Sequence, residues 1–251
     1  MTLSSFKTSG AIIGDAAPLS WRSFIPAQPV IENYIRIFGE LGFGGSLFNT
    51  VVVAIGQVAG SVVTASLAGY AFARIQFPMR NFLFGLCLLA SFIPVEAILL
   101  PLYKITQDLG MVSTYTGLFV PLMFHPFGLF IMRQAFADLP NELTEASQID
   151  GAGRWRDFWN ICLPNVRPAL LTLVIIQFIW SCNNYLWPLV AMQDPEKQVA
   201  QVVIGAYKSV PNSPMFGEMF AAATAVTLPL VLVAIVLQRH YVRGLVTTGL
   251  K

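Results

Sequence analysis

The stretch NELTEASQIDGAGRWRDFWNICLP, Asn141 to Pro164, is polar and charged between long apolar neighbours, and its reading decides the fold. Glu142, Glu145 and Ala146 favour helix, and Asp150-Gly151 then supplies a turn where a left-handed residue is most easily accommodated. A second helical run, Arg154 to Leu163, carries Trp155, Phe158 and Trp159 at helical spacing, and Pro164 is expected to end it. A charged helical hairpin between membrane spans cannot face lipid, because its polar groups would find no partners there. It must sit in water or against a soluble partner.

The rest of the chain makes those neighbours membrane spans. Of 251 residues 55% are hydrophobic and 11% charged, with a mean hydropathy of +0.65. Soluble domains carry about 25% charged residues. A net charge of +2, with its basic residues scattered, gives no reason to invoke nucleic acid. Cys87, Cys162 and Cys182 lack paired spacing and read as small hydrophobes; with only His125 and His240 beside them, no metal site is indicated.

The first apolar run, about Leu47 to Ala73, is long enough to cross a bilayer, and its Gly56-x-x-x-Gly60 and Ala65-x-x-x-Gly69 pairs would let another helix approach closely. A connector, Arg74 to Arg80, leads to a second span over about Asn81 to Tyr103, interrupted by Pro94 and Pro101 and carrying Glu96. A carboxylate at membrane depth costs about 2.5–3.5 kcal/mol on insertion scales. Glu96 therefore either lines a wet path or reaches the interface from the end of a broken helix. After a polar loop, Lys104 to Tyr115, a third span of about Thr116 to Met132 holds His125-Pro126, a predicted kink. A lone histidine at such a place is more often packed and hydrogen-bonded than a proton carrier.

Beyond the hairpin lies a fourth span, about Pro168 to Val190, whose second half, WSCNNYLWPL, is polar and aromatic. Asn183, Asn184 and Tyr185 can bond a hydroxylated solute; helix packing is the competing role. A polar loop, Ala191 to Glu218, precedes a last span of about Met219 to Gln238 and a basic tail, 239–251. Residues 1–45 are mixed, rich in turn formers, and lack a signal-peptide pattern. The expected architecture is all-α: a polytopic membrane helix bundle of about five spans in a single domain, 1–251.

Placing the hairpin region, 133–167, in the cytoplasm puts nine Lys or Arg inside: Arg74, Arg80, Arg133, Arg154, Arg156, Arg167, Arg239, Arg243 and Lys251. Lys7, Arg22, Arg36, Lys104, Lys197 and Lys208 fall outside, spread over longer segments. The tail 239–251 is then cytoplasmic and 1–45 extracytoplasmic.

The hairpin also resembles a known family. Glu145-Ala146-Ser147, three residues, Gly151, nine residues, then Ile161-x-Leu163-Pro164 is similar to the EAA loop of importer permeases, the membrane subunits of binding-protein-dependent ATP-binding cassette transporters. Ser147 stands where that family usually has Ala, and Gly153 where a small hydroxyl residue is common. The resemblance runs from Ser5 to Lys251. It is to the carbohydrate type, which includes the smaller maltose-permease subunit and the glycerol-3-phosphate permease subunits, and Ile93-Pro94-Val95-Glu96 and Tyr185-Leu186-Trp187-Pro188-Leu189 look closest to the glycerol-phosphate branch. The family has six spans, so the resemblance implies that this chain starts after the first.

The resemblance implies a bacterial inner-membrane subunit that forms half of a path for a sugar or related small polar solute. It implies a second permease chain, two ATP-binding subunits and an extracytoplasmic solute-binding protein as partners. Glu145, Ala146, Ser147, Asp150, Gly151, Ala152, Ile161, Leu163 and Pro164 become the ATPase-coupling residues; Glu96, Asn183, Asn184 and Tyr185 are candidates for the path. No cofactor is expected in this chain, and ATP would be used by a partner. Gly205-Ala-Tyr-Lys208-Ser209 lacks the glycine a phosphate loop needs before its lysine, and no hydrolase signature is present. The rivals are an ion-coupled carrier, supported only by Glu96 and His125, and a membrane enzyme, for which no catalytic constellation exists.

Overall fold

The computed structural model describes residues 1–15, 21–149, 151–209 and 214–248, with the side chains of 22, 146–148, 234 and 236–248 outside the description. The described residues form helices and no strand. Short helical turns at Ser4–Phe6, Ser9–Gly14, Trp21–Phe24 and Glu32–Ile35 lead into α1 (Phe43–Arg74), α2 (Arg80–Leu89), α3 (Val95–Asp108), α4 (Tyr115–Phe119) and α5 (Pro126–Ala137). The hairpin follows as α6 (Asn141–Ile149) and α7 (Arg154–Asp157), then α8 (Arg167–Asn183), α9 (Leu186–Ala191), α10 (Ala200–Lys208) and α11 (Phe216–Thr248).

Among the described residues two helices, Phe43–Arg74 and Phe216–Val233, are long and apolar enough to cross a membrane unbroken. Among the same described residues three bent pairs pass the same test of length and composition when each is taken as one span, which allows up to five, the count expected from the sequence: Arg80–Phe92 with Val95–Asp108, Tyr115–Leu122 with Pro126–Ala137, and Arg154–Asn165 with Arg167–Asn183, bent by 103°, 52° and 77°, the first limb of the last pair belonging to the hairpin. Prolines explain two of the breaks. Pro94 is the extended cap before α3, and His125, extended at φ −129°, precedes Pro126 at the first position of α5.

Four sequence expectations need correction. Pro101 does not interrupt its span: α3 runs through it to Asp108, accepting the loss of one backbone hydrogen bond, and so takes in Lys104 from the supposed loop. Pro164 does not end the second hairpin helix. The chain reaches it from a π-turn, Phe158–Cys162, closed by Leu163 N–H on Phe158 C=O, and Pro164 then sits in the short helical piece Leu163–Asn165, at a first-turn position where a missing N–H is tolerated. The break falls at Val166. The fourth span stops at Asn183, with α9 starting after Asn184-Tyr185. Finally, Ala191 to Glu218 is not a plain polar loop, because it contains α10, whose Ala200, Val202 and Tyr207 are buried.

The chain forms two compact units. The first comprises 1–53, 111–118 and 182–233. Its core joins Ile37, Phe43, Ala200, Tyr207, Ala221, Ala222 and Val226. Polar links hold the described parts of the 1–45 segment there. Asn33 Nδ2 donates to the carbonyls of Ser5 and Lys7 at 2.7 and 2.8 Å, and Arg36 pairs with the buried Glu218 at the start of α11. Asn49, on α1, donates to the carbonyls of Glu196 and Gln198 and accepts from Tyr115 Oη at 2.8 Å. The half-buried Asp194 carboxyl is held below its usual range by hydrogen bonds from Lys197 and the Glu196 N–H.

The second unit comprises 54–110, 119–181 and 234–251. Here the small residues of α1 do what their spacing suggested. A Cβ at Gly56 would lie 2.7 Å from the Phe119 ring, one at Gly60 2.6 Å from Met123, and one at Gly69 2.7 Å from Met132 and 2.9 Å from the Arg133 nitrogen. Gly69 is the tightest in consequence, since it meets backbone, which cannot rotate away. Its core is Ala65, Tyr70, Met132, Phe136, Phe158, Cys162, Val166 and Leu173.

Gly69→Ala is expected to destabilise the protein by about 1–3 kcal/mol, the usual cost of overpacking. Gly85→Ala, where an added Cβ meets nothing within 4 Å, should be neutral or slightly stabilising. Thermal unfolding of the two variants in detergent checks the contrast.

Candidate coupling site

The hairpin hangs from one end of α1. That helix has 32 residues, about 48 Å at 1.5 Å per residue, against a hydrocarbon core of about 30 Å. The helix is thus longer than that core is thick, and its last turns carry Tyr70 and Arg74, one turn apart on the same face. Arg74 holds the entry to the hairpin. Its Nε donates to Phe136 C=O at 2.9 Å, Nη1 to Asn141 Oδ1 at 2.8 Å, and Nη2 to Leu139 C=O. The two carbonyl partners lie at and beyond the end of α5, where backbone acceptors have no partner within the helix.

Tyr70 holds the return limb. Its hydroxyl donates to Asp157 Oδ2 at 2.7 Å, and its ring packs edge-on against Phe136 and Phe158, at 5.7 and 5.2 Å between centroids. Asp157 is 2% exposed and also accepts from Cys162 Sγ at 3.4 Å. Residues five apart point in different directions on an α-helix; the π-turn over Phe158–Cys162 brings Asp157 and Cys162 onto one face. The turn thus gathers a carboxylate, a thiol and the inward Phe158 against α1, leaving Trp155 and Trp159 68% and 56% exposed. Of the aromatic face expected from the sequence, only Phe158 turns inward.

The expected coupling residues fall on this frame. Glu145 is exposed on α6, Ala146 and Ser147 lie in its backbone, and Ile149 at its end is 86% exposed. Gly151 has φ +75°, the left-handed conformation its turn requires, and a Cβ added there would meet nothing within 4 Å. Its constraint is conformational, with no crowding. Ala152 and Ile161 are half-buried; Leu163 packs on the core beside Pro164. Asp150 lies outside the described residues. Sequence reasoning missed Tyr70, Arg74, Asp157 and Ile149. Only Arg74, a charge at the end of an apolar run, left a trace.

The candidate path residues divide between the two units. Glu96 is exposed in the first turn of α3, where the helix dipole favours a carboxylate. Asn183 is exposed and accepts from Gln201 Nε2 at 3.4 Å; Tyr185, 43% exposed, lays its ring against Gly205. Trp187 is fully buried, its Nε1 donating to Gly117 C=O at 3.1 Å, a packing role. His125 is structural too: Nδ1 accepts from Phe127 N–H at 3.2 Å and the ring sits 4.2 Å from the Trp180 ring.

Residues 61–247 match the family of binding-protein-dependent transport system inner membrane components. The chain belongs to this family. The permease is 38% identical to the sn-glycerol-3-phosphate transport system permease protein UgpE of Yersinia enterocolitica over 231 residues, 89% of this chain and 82% of that protein. It is 37% identical to the protein of the same name from Brucella abortus, over 90% of this chain and 83% of that one. In fold it matches a chain of a bacterial ABC transporter involved in the import of the acidic polysaccharide alginate, with a TM-score of 0.82, 20% identity, and 95% and 88% of the two chains covered. The permease is thus a multi-pass inner-membrane transport subunit, and the ion-coupled carrier and the membrane enzyme are set aside.

Tyr70→Phe removes a donor from a buried carboxylate and should cost about 1–3 kcal/mol of stability, the penalty of an unmade buried hydrogen bond. Arg74→Gln should free the hairpin entry and raise the protease sensitivity of the Leu139–Asn141 segment. Thermal unfolding and limited proteolysis in detergent check the two expectations.

Proposed function

We propose that the permease forms half of a translocation path for a sugar or related small polar solute and couples it to a separate ATPase through Asn141–Pro164. The observation that carries this reading is the hairpin itself. It presents exposed apolar groups, Ile149 and Trp159, on a scaffold fixed to α1 by Arg74 and Tyr70. Exposed apolar residues on a rigid, charged hairpin suit a protein partner that pushes on it. Glu145, Ala146, Ser147, Asp150, Gly151, Ala152, Ile161, Leu163 and Pro164 make up the coupling element on this reading.

The assembly would hold a second permease chain, two ATP-binding subunits and an extracytoplasmic solute-binding protein, with 133–167 and 239–251 in the cytoplasm and 1–45 outside. A periplasmic partner is supported by the complex of the alginate ABC transporter with its pentasaccharide-bound periplasmic protein, whose chain shares this fold at a TM-score of 0.57. The solute class is supported by the relatives, which are named for sn-glycerol-3-phosphate. Asn183, Asn184 and Tyr185 supply hydrogen-bonding groups for hydroxyls, and Glu96 is the ionisable candidate in the other unit. ATP is used by the partner and this chain needs no cofactor.

The test exploits Gly151. A left-handed conformation costs most L-residues about 1–2 kcal/mol, and Asn less than Ala. Gly151→Ala should therefore lower recovery of the ATP-binding subunit on co-purification, and solute-stimulated ATPase activity, by about five- to thirty-fold. Gly151→Asn should fall between it and the parent. Equal recovery and equal stimulation in all three would sink the coupling role.

A further inference from the structure

We propose that a cavity between α1 and the return limb of the hairpin binds an anionic phospholipid of the adjacent leaflet. The cavity, of about 300 Å3, is lined by Leu67, Ala71 and Ile75 on one side and by Arg154, Trp155 and Phe158 on the other. The Tyr70 ring contributes to its wall, while the hydroxyl is engaged with Asp157.

Its position selects lipid. Leu67 lies seven residues before Arg74 on α1, about 10 Å along the axis at 1.5 Å per residue, so the cavity runs from the charged end of the helix into its apolar part. Arg74, Arg80, Arg154 and Arg156 all fall at this end, the basic clustering expected of a membrane interface. Trp155, which lines the cavity, is 68% exposed, and tryptophan favours headgroup level, where one part of the ring is apolar and another wet.

Its chemistry selects an anionic headgroup. The lining is apolar except for Arg154, so a sugar or nucleotide would bury hydroxyls with nothing to bond, whereas an acyl chain has none to leave unpaired. Arg74 is committed to three protein oxygens. Neither Arg154 nor Arg156 has an acidic partner among the described residues. A guanidinium over an apolar slot fits a phosphate above an acyl chain, through charge-assisted hydrogen bonds. A lipid seated there would bridge α1 and α7 and fill the space beside the Tyr70–Asp157 link. The inference rests on the membrane location of the chain and not on the coupling role of the hairpin.

The experiment is native mass spectrometry of the transporter assembled with its partner subunits, released from nanodiscs of phosphatidylcholine mixed with phosphatidylglycerol. The parent should retain phosphatidylglycerol in preference to phosphatidylcholine. Arg154→Gln, a change at an exposed side chain, should reduce that retention about tenfold, the loss of one charge-assisted phosphate contact. Ala71→Phe, which fills the slot, should reduce retention of both lipids. Equal retention of the two lipids by the parent, or parental retention of phosphatidylglycerol by Arg154→Gln, would overturn the proposal. So would retention by the isolated permease that disappears when the ATP-binding subunit is added, since that subunit would then be the occupant. Should Ala71→Phe fail to assemble, Arg154→Gln decides alone, because lipid retention is read without any ATPase activity.

Discussion

One helical turn at the end of α1 holds both limbs of the hairpin. Arg74 grips the stretch of chain that enters it, through two backbone carbonyls and the Asn141 side chain. Tyr70, one turn earlier, grips the limb that leaves it, through a hydroxyl on the buried Asp157. Neither link works without the other. An arginine clamp alone would leave the return limb free to swing about Gly151, and a phenol–carboxylate link alone would leave the entry unanchored.

The rest of this unit keeps that turn in place. The glycines of α1 bring it into contact with the segment that runs through Phe119, Met123 and Met132, and at Gly69 the approach is backbone to side chain and backbone. That contact lies one residue before Tyr70. The seam and the clamp are therefore one mechanical element: close packing fixes the end of α1, and the end of α1 fixes the hairpin. On the proposed reading, force delivered by an ATP-binding subunit at the exposed face of the hairpin passes into α1 with little play. Asp157 is suited to that position, because a buried carboxylate has no alternative partners in water to which it could slip.

Much of this was legible in the chain. Apolar run length marked the segments that cross the membrane, and the Asp150-Gly151 pair marked the turn, whose positive φ at Gly151 the structure bears out. The small-residue spacing of α1 marked a close helix approach. What was not legible depended on partners distant in sequence. Tyr70 sits in an apolar run and reads as a packing aromatic, and nothing local says that its hydroxyl meets a carboxylate 87 residues later. Asp157 left no signal of burial, because the π-turn that turns it inward has no short sequence signature. Pro101 and Pro164 were read as stops by local rule, and the packing around them overrides that preference. The nine residues of α10 were too few to show a helical period, though Val202 and Tyr207 are buried.

The central claim is that the hairpin is the surface on which the ATP-binding subunit acts. The most direct measurement places a photo-crosslinking benzoylphenylalanine at Ile149, 86% exposed at the tip of α6, and in a second protein at Phe92, 81% exposed beside Pro94. Illumination in membranes should join Ile149 to the ATP-binding subunit, and Phe92 should give no such adduct. An ATP-binding subunit that crosslinks from Phe92, or from neither position while it still co-purifies, would contradict the account.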